Sequence, residues 1–213
     1  MTSPLDATRP PRDAERTRER ILDAAQALIL DHGFGSTTVE AVVGRAGITK
    51  GAFFHHFRSK SDLARTLIDR FAAMDREHMA GHVARSEKLA RDPLQQLLML
   101  IALYEEDFDA LAESVPGCLF ASYVYENKLF DEEILAVLRE STLMWRRVML
   151  GKLEEVARVH PPKREVDMES LADLFYSLTE GAYVMTKTLG DKTLLARQAR
   201  HLRTYLELLF GAP

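Results

Sequence analysis

Four cations, Arg45, Lys50, Arg58 and Lys60, fall within sixteen residues that contain no Asp or Glu, and the adjacent imidazoles of His55 and His56 lie among them. Clustered positive charge without interleaved acid suits phosphate, and side-chain donors beside it suit base edges. Catalytic chemistry has less to start from. No Gly-rich phosphate loop, GxSxG elbow or CxxC pair occurs, so the chain is expected not to be an enzyme. His78 and His82, four residues apart, would share one helix face as two metal ligands. With no HExxH and no third His or Cys nearby, a surface pair is expected and neither metal nor cofactor is assigned. Cys118 is the only cysteine, so no intrachain disulfide forms and a reducing compartment is natural. Its neighbours Gly117 and Leu119 bring no cation to lower its pKa, which favours a small buried thiol over a sensor.

A third set combines aromatic, Met and small polar residues: Met99, Leu103, Tyr104 and Phe108, then Cys118, Phe120 and Tyr123, then Trp145 and Met149, then Phe175, Tyr176, Thr179 and Tyr183. Ligand pockets are mostly apolar with a few placed polar groups, so this set is compatible with a pocket for an apolar or aromatic molecule bearing a hydroxyl or carbonyl. Met and aromatic residues at helical spacing are more often core, which weakens each position taken singly.

The basic stretch needs an element that presents it. Thr37 followed by Glu40 reads as a capping box, which starts a helix at about Thr38. Val39, Val42, Val43 and Ala46 give it an apolar stripe, and Gly47 ends it in the left-handed conformation. A second helix follows from Lys50 to Phe57. Ala52, Phe53 and Phe57 can face inward, leaving Lys50, Phe54, His55 and His56 to look outward. Two short helices about a Gly turn form a helix-turn-helix, and an exposed helix fits the B-form major groove but not the narrow A-form one. A helix from about Asp13 to His32, stopped by Gly33, should close a three-helix head. Its expected core is Ile21, Leu22, Ala25, Ile29, Phe34, Val42, Phe53, Phe57 and Leu63.

Beyond the head, Ser59 and Asp62 cap a long helix in which Leu63, Leu67, Phe71 and Met74 recur at spacings of three and four. Asp92-Pro93 starts a buried helix that runs until Pro116-Gly117. A short helix around Phe120 and Tyr123 follows, then a long one from Asp131 to about Arg158, closed by His160-Pro161-Pro162. The last two helices, about Asp167 to Leu189 and Lys192 to Phe210, should pack antiparallel across Gly190-Asp191. Their broad apolar faces, Leu171, Leu174 and Leu178 on one and Leu195, Leu202, Leu206 and Leu209 on the other, invite a partner.

Composition agrees with this division. The chain has 213 residues, 46% of them hydrophobic and 28% charged, with no apolar run long enough to span a bilayer. Residues 1–60 carry nine Lys/Arg against seven Asp/Glu, so the net charge of −4 leaves the remainder at −6. The head suits a polyanion and the body does not. Residues 1–13, rich in Pro and Arg and lacking an apolar signal core, read as a disordered tail. Arg9, Arg12 and Arg16 would allow the alternative of a minor-groove arm. A cytoplasmic location is expected.

The stretch from Thr37 to Leu63 resembles the tetracycline-repressor (TetR) family, whose members read T-T-x-x-x-I-A-x-x-A-G-x-S-x-G-x-L-Y-x-H-F-x-x-K-x-x-L. Thr37, Thr38, Val42, Ala46, Gly47, Lys50, Gly51, Phe53, Phe54, His56, Phe57, Lys60 and Leu63 stand in register with it. The resemblance covers about the first sixty-five residues. It implies DNA contacts from Thr37 and Val39, from Lys50, Gly51, Phe54, His55 and His56, and from Lys60. Phe54 departs from the family's usual tyrosine, whose hydroxyl bonds a phosphate, and a lost charge-assisted bond costs about 1.5–3 kcal/mol.

The resemblance further implies a small-molecule effector inside the body and a homodimer through the last two helices. The expectation is therefore an all-α protein: an arm (1–13), a three-helix DNA-binding head (14–62) and a helical ligand-binding and dimerisation body (63–213). Its partners would be a double-stranded DNA operator and a small effector, with no membrane. The alternative is a helical binding or scaffold protein that no longer holds DNA.

Overall fold

The computed structural model describes residues 11–110 and 117–211, with side chains from Asp13 onward. Among these residues the regular elements are all helical, and no helix is long and apolar enough to cross a membrane. The expected arm lies, up to residue 10, outside the described residues, and α1 (Pro11–His32) already begins at Pro11.

Gly33, at φ +82°, turns the chain out of α1, and Phe34 drops into the core. This tight turn corrects the expected cap. Thr37 is swept inward, buried, and donates its hydroxyl to the Gly33 carbonyl at 2.8 Å, so the capping role passes to Thr38, whose hydroxyl accepts the Ala41 N–H at 3.1 Å. Helix α2 (Val39–Ala46) ends at Gly47, which is left-handed as expected at φ +61°. Arg20 on α1 donates to the carbonyls of Ala46 and Gly47 and fixes the turn. Thr49 caps α3 (Lys50–His56), and Phe53 and Phe57 are buried beneath it. All nine residues expected in the head core are buried.

Ser59 and Asp62 start α4 (Lys60–Leu89) by closing on each other's neighbourhood: Ser59 accepts the Asp62 N–H, and Asp62 accepts the Arg58 N–H at 2.8 Å. This helix runs through two apolar clusters, with Leu63, Leu67 and Ile68 in the head's and Met79 in the body's. The body continues with α5 (Pro93–Ala110), α6 (Leu119–Tyr125) followed by a 3-10 turn (Asn127–Leu129), α7 (Glu132–Val159), α8 (Met168–Leu189) and α9 (Leu194–Phe210). The end expected for α5 near Pro116 lies outside the described residues.

Helix α9 packs along α5 and α8, and α8 also packs on α7. That arrangement corrects the dimer surface expected from the sequence. Leu171, Leu195, Leu202, Leu206 and Leu209 are buried within the chain, and Leu174 and Leu178 are half-buried against the same cluster. The reason is that α5 takes up the apolar face of α9. What the two helices leave exposed is a different set, Val184, Met185 and Leu189 on α8 with Tyr205 and Leu208 on α9.

Helix α6 belongs to both regions. Leu119, Phe120 and Tyr123 are part of the head cluster, joined by Ile134 and Leu138 of α7, and the Tyr123 hydroxyl donates to the Ala64 carbonyl at 3.2 Å. Tyr123 stacks on Phe130 with centroids 4.4 Å apart, and Phe34 of the head packs against both rings.

Candidate nucleic-acid interface and ligand cavity

The outer surface of α3 carries Lys50, Gly51, Phe54 and His55, all exposed, with His56 half-buried beside them. Phe54 stands 48% exposed, its ring edge-on to Phe53 at 5.2 Å, which steadies an apolar side chain in water. Val39 flanks this surface, half-buried. The cations are less uniform than the sequence suggests. Lys50 Nζ bonds Glu40 at 2.7 Å, which holds the Glu40 carboxyl below its ordinary range, and Arg45 lies 3.6 Å from Asp31. Lys60 is turned inward. Its ammonium donates to the carbonyls of Phe34 at 2.5 Å and Gly35 at 3.2 Å and sits 4.1 Å from the centre of the Phe34 ring. Desolvation lowers its pKa, opposed by the charge of Glu126. Of the eight residues expected to touch DNA, Thr37 is buried, Val39, His56 and Lys60 are half-buried, and the other four are open to solvent.

Inside the body is a cavity of about 450 Å³ bounded by α1, α4, α5, α6, α7 and α8. Nine of the thirteen residues expected at a pocket line it: Tyr104, Phe108, Cys118, Phe120, Trp145, Phe175, Tyr176, Thr179 and Tyr183. The other four do not. Leu103 and Met149 are buried core, Met99 is half-buried away from the cavity, and Tyr123 is enclosed by the head cluster. Helical spacing alone does not distinguish a wall facing a void from one facing a neighbouring helix.

The sequence reading missed Gln26 and Leu30 of α1, Phe71, Met74, Asp75 and His78 of α4, and Asp107 and Glu180. For Asp75, Asp107 and Glu180 the only signal was an acidic charge on a helix with apolar neighbours. Asp75 Oδ2 accepts the Trp145 indole N–H at 2.7 Å, and its carboxyl pKa is raised by burial, partly offset by that bond. Burial also raises Glu180, which accepts the Cys118 S–H, and raises Tyr104, Tyr176 and Tyr183. The Cys118 thiol is pushed up by desolvation and by the Glu180 charge, the opposite of an activated thiol. The Tyr104 hydroxyl is buried without a hydrogen-bond partner.

At the rim, Asp107 supplies the third group that the sequence did not reveal beside His78 and His82. Its Oδ2 lies 2.7 Å and 2.6 Å from the two Nε2 atoms, and the three are the one group among the described residues with potential metal ligands this close.

Residues 21–67 match the family described as bacterial regulatory proteins, tetR family, and residues 93–202 match the tetracyclin repressor-like C-terminal domain. The chain belongs to the TetR family. It is similar to the HTH-type transcriptional regulator YxaF of Bacillus subtilis, 27% identical over 180 residues that cover 84% of this chain and 89% of that protein. The HTH-type transcriptional regulator TtgR of Pseudomonas putida is 24% identical over 94% of this chain and 95% of its own. A TetR-family transcriptional regulator from Agrobacterium tumefaciens superimposes with a TM-score of 0.75 at 25% identity, covering 93% of this chain and all of that one.

In this TetR-family regulator the cavity and the head share walls. Gly117, Cys118 and Phe120 line the cavity, while Leu119 and Tyr123 on the same short helix are packed in the head core. Just after α6, the Glu126 carboxylate accepts the N–H groups of Phe34 at 2.8 Å and Gly35 at 2.6 Å. A Cβ on Gly33 would lie 2.3 Å from Glu126 Oε1, so the glycine provides both the left-handed turn and the room for that carboxylate. From the other side, Lys187 of α8 donates to the Leu30 carbonyl at the end of α1, at 2.9 Å.

Proposed function

We propose that this TetR-family regulator is a homodimeric repressor, released from a near-palindromic DNA operator by a small, largely apolar or aromatic effector bound in the cavity of the body. Residues 14–62 act as the DNA-binding head and 63–213 as the ligand-binding and dimerisation body, and the protein works in the cytoplasm. One observation carries the regulatory reading: α6 forms part of the cavity wall and, one residue away, part of the head core. A ligand that prefers a different position of α6 has a direct purchase on the head. By linkage, DNA weakens that ligand by the same factor as the ligand weakens DNA.

Lys50 contacts phosphate, exchanging Glu40 for a backbone oxygen, while His55 reads a base edge and Phe54 and Val39 supply apolar contact. Gly51 lets the backbone approach closely. Thr37 and Lys60 instead hold the loop that carries α2. The exposed apolar residues of α8 and α9 pair with their copies, spacing the two heads about 34–36 Å or a multiple apart. The unpartnered Tyr104 hydroxyl offers one hydrogen bond to an acceptor on the effector.

The test is a footprint of the full-length protein on the DNA upstream of its own gene. Two protected patches about one helical turn apart, lost on adding effector, support the reading, and uniform or absent protection overturns it. A second reading is a ligand-binding protein without DNA function. It is favoured by the missing hydroxyl at Phe54 and the inward Lys60, and it predicts cavity binding with no protection of any duplex.

A further inference from the structure

The cavity's charge is one-sided. Asp75, Asp107 and Glu180 face it, and among the described residues no Lys or Arg lines it. Asp107 is already shared by His78 and His82. Asp75 and Glu180 are held by weaker donors, an indole N–H and a thiol, and the two groups whose charge acts on Asp75, His78 and then Arg76, are both exposed. Buried carboxylates are normally paired with cations, because desolvating an unpaired charge is costly.

Beside Asp75 the walls form an aromatic corner. The Trp145 and Phe175 rings stack at 5.3 Å and 17°, and Tyr104 leans on them at 5.3 and 5.2 Å. Aromatic faces next to a carboxylate are the surroundings that hold quaternary and other organic ammonium groups.

From this juxtaposition we infer that the effector is an organic cation with an aromatic or apolar body, its charge set between the Tyr104–Trp145–Phe175 corner and the carboxylates of Asp75 and Glu180. The inference rests on the cavity being the effector site proposed above, and it adds a positive charge to that largely apolar or aromatic effector. Anionic molecules of the same shape are excluded by the same two groups.

Trp145 is the only tryptophan, so its fluorescence reports occupancy directly. The full-length protein is titrated with benzyltrimethylammonium and with neopentylbenzene, which replaces the nitrogen by carbon and has no charge. The cation should bind at least tenfold more tightly. Glu180→Gln with Asp75→Asn should bring the two probes within threefold of each other, whereas Glu154→Gln, a carboxylate-to-amide change on the exposed side of α7, should leave the preference intact. If the double variant does not fold, each single variant should still lose at least threefold in cation affinity. The inference is overturned if the carbon isostere binds as well as the cation, if neither probe binds at millimolar concentration, or if the preference survives in the variants. Binding to the upstream duplex, measured in the same samples, separates the two levels. A neutral probe that releases the duplex leaves the regulatory reading standing without the cation, and a cation preference with no duplex bound does the reverse.

Discussion

At the scale of single residues, the structure gives two tests with opposite signs. Thr38→Ala removes the cap of α2 and should destabilise the protein by about 1 kcal/mol, roughly a 2–4 °C fall in melting temperature for a chain of this size. The expected cap, Thr37, owes its importance instead to burial and to the Gly33 carbonyl. Glu180→Gln should have the reverse effect. A carboxyl whose native pKa lies above its unfolded value binds its proton more tightly in the folded state, so it favours folding more as pH falls through that native value and less as pH rises. Burial raises Glu180 in this way from an ordinary 4.5. At neutral pH the variant should therefore be more stable than the parent by about 1 kcal/mol, with the difference closing as pH falls through the glutamate range. Thermal unfolding of both proteins across that range checks it, and a pH-independent difference would contradict it.

At the scale of elements, the joint between cavity and head is made by α6 and the residue just beyond it. Glu126→Ala should cost about 2 kcal/mol by orphaning the Phe34 and Gly35 N–H groups and by leaving Lys60 without a nearby counter-charge. It should also reduce the effect of effector on DNA affinity, which paired titrations measure. Equal coupling in variant and parent would place the communication elsewhere. Elements were the level most legible in the sequence. Val42, Gly47, Phe53 and Phe57 specify the helix-turn-helix through local periodicity and one left-handed glycine, and they sit as expected. Long-range partners were not legible. Nothing local to Glu126 indicates that it bonds a loop more than ninety positions away, and nothing local to Asp107 indicates the two histidines on α4. The sequence likewise located most of the aromatic cavity wall but not its acids, because a lone carboxylate on an apolar helix face does not reveal whether it meets solvent or a void.

At the scale of the whole molecule, the same limit hid the intrachain role of the leucines expected at a dimer surface. The leucines of α9 are apolar enough to bind a partner, but α5 already covers them within the chain. Leu206→Ala should therefore destabilise the protomer by about 2–5 kcal/mol. Leu208→Glu, at a residue 68% exposed, should leave the fold intact and weaken dimerisation, as should Val184→Glu. Sedimentation equilibrium distinguishes these outcomes, and an unchanged dimer in both surface variants would move the interface off α8 and α9. The proposed repression depends on two heads, held by paired bodies, acting on one duplex. Its most direct measurement is equilibrium binding of the full-length protein to a labelled duplex from its own upstream region, against random-sequence competitor and over a range of salt. The expected result is two protomers per duplex, a preference of about 10³-fold or more over random DNA, and affinity that falls steeply with salt. Equal affinity for both duplexes, or a single protomer bound, would contradict the account.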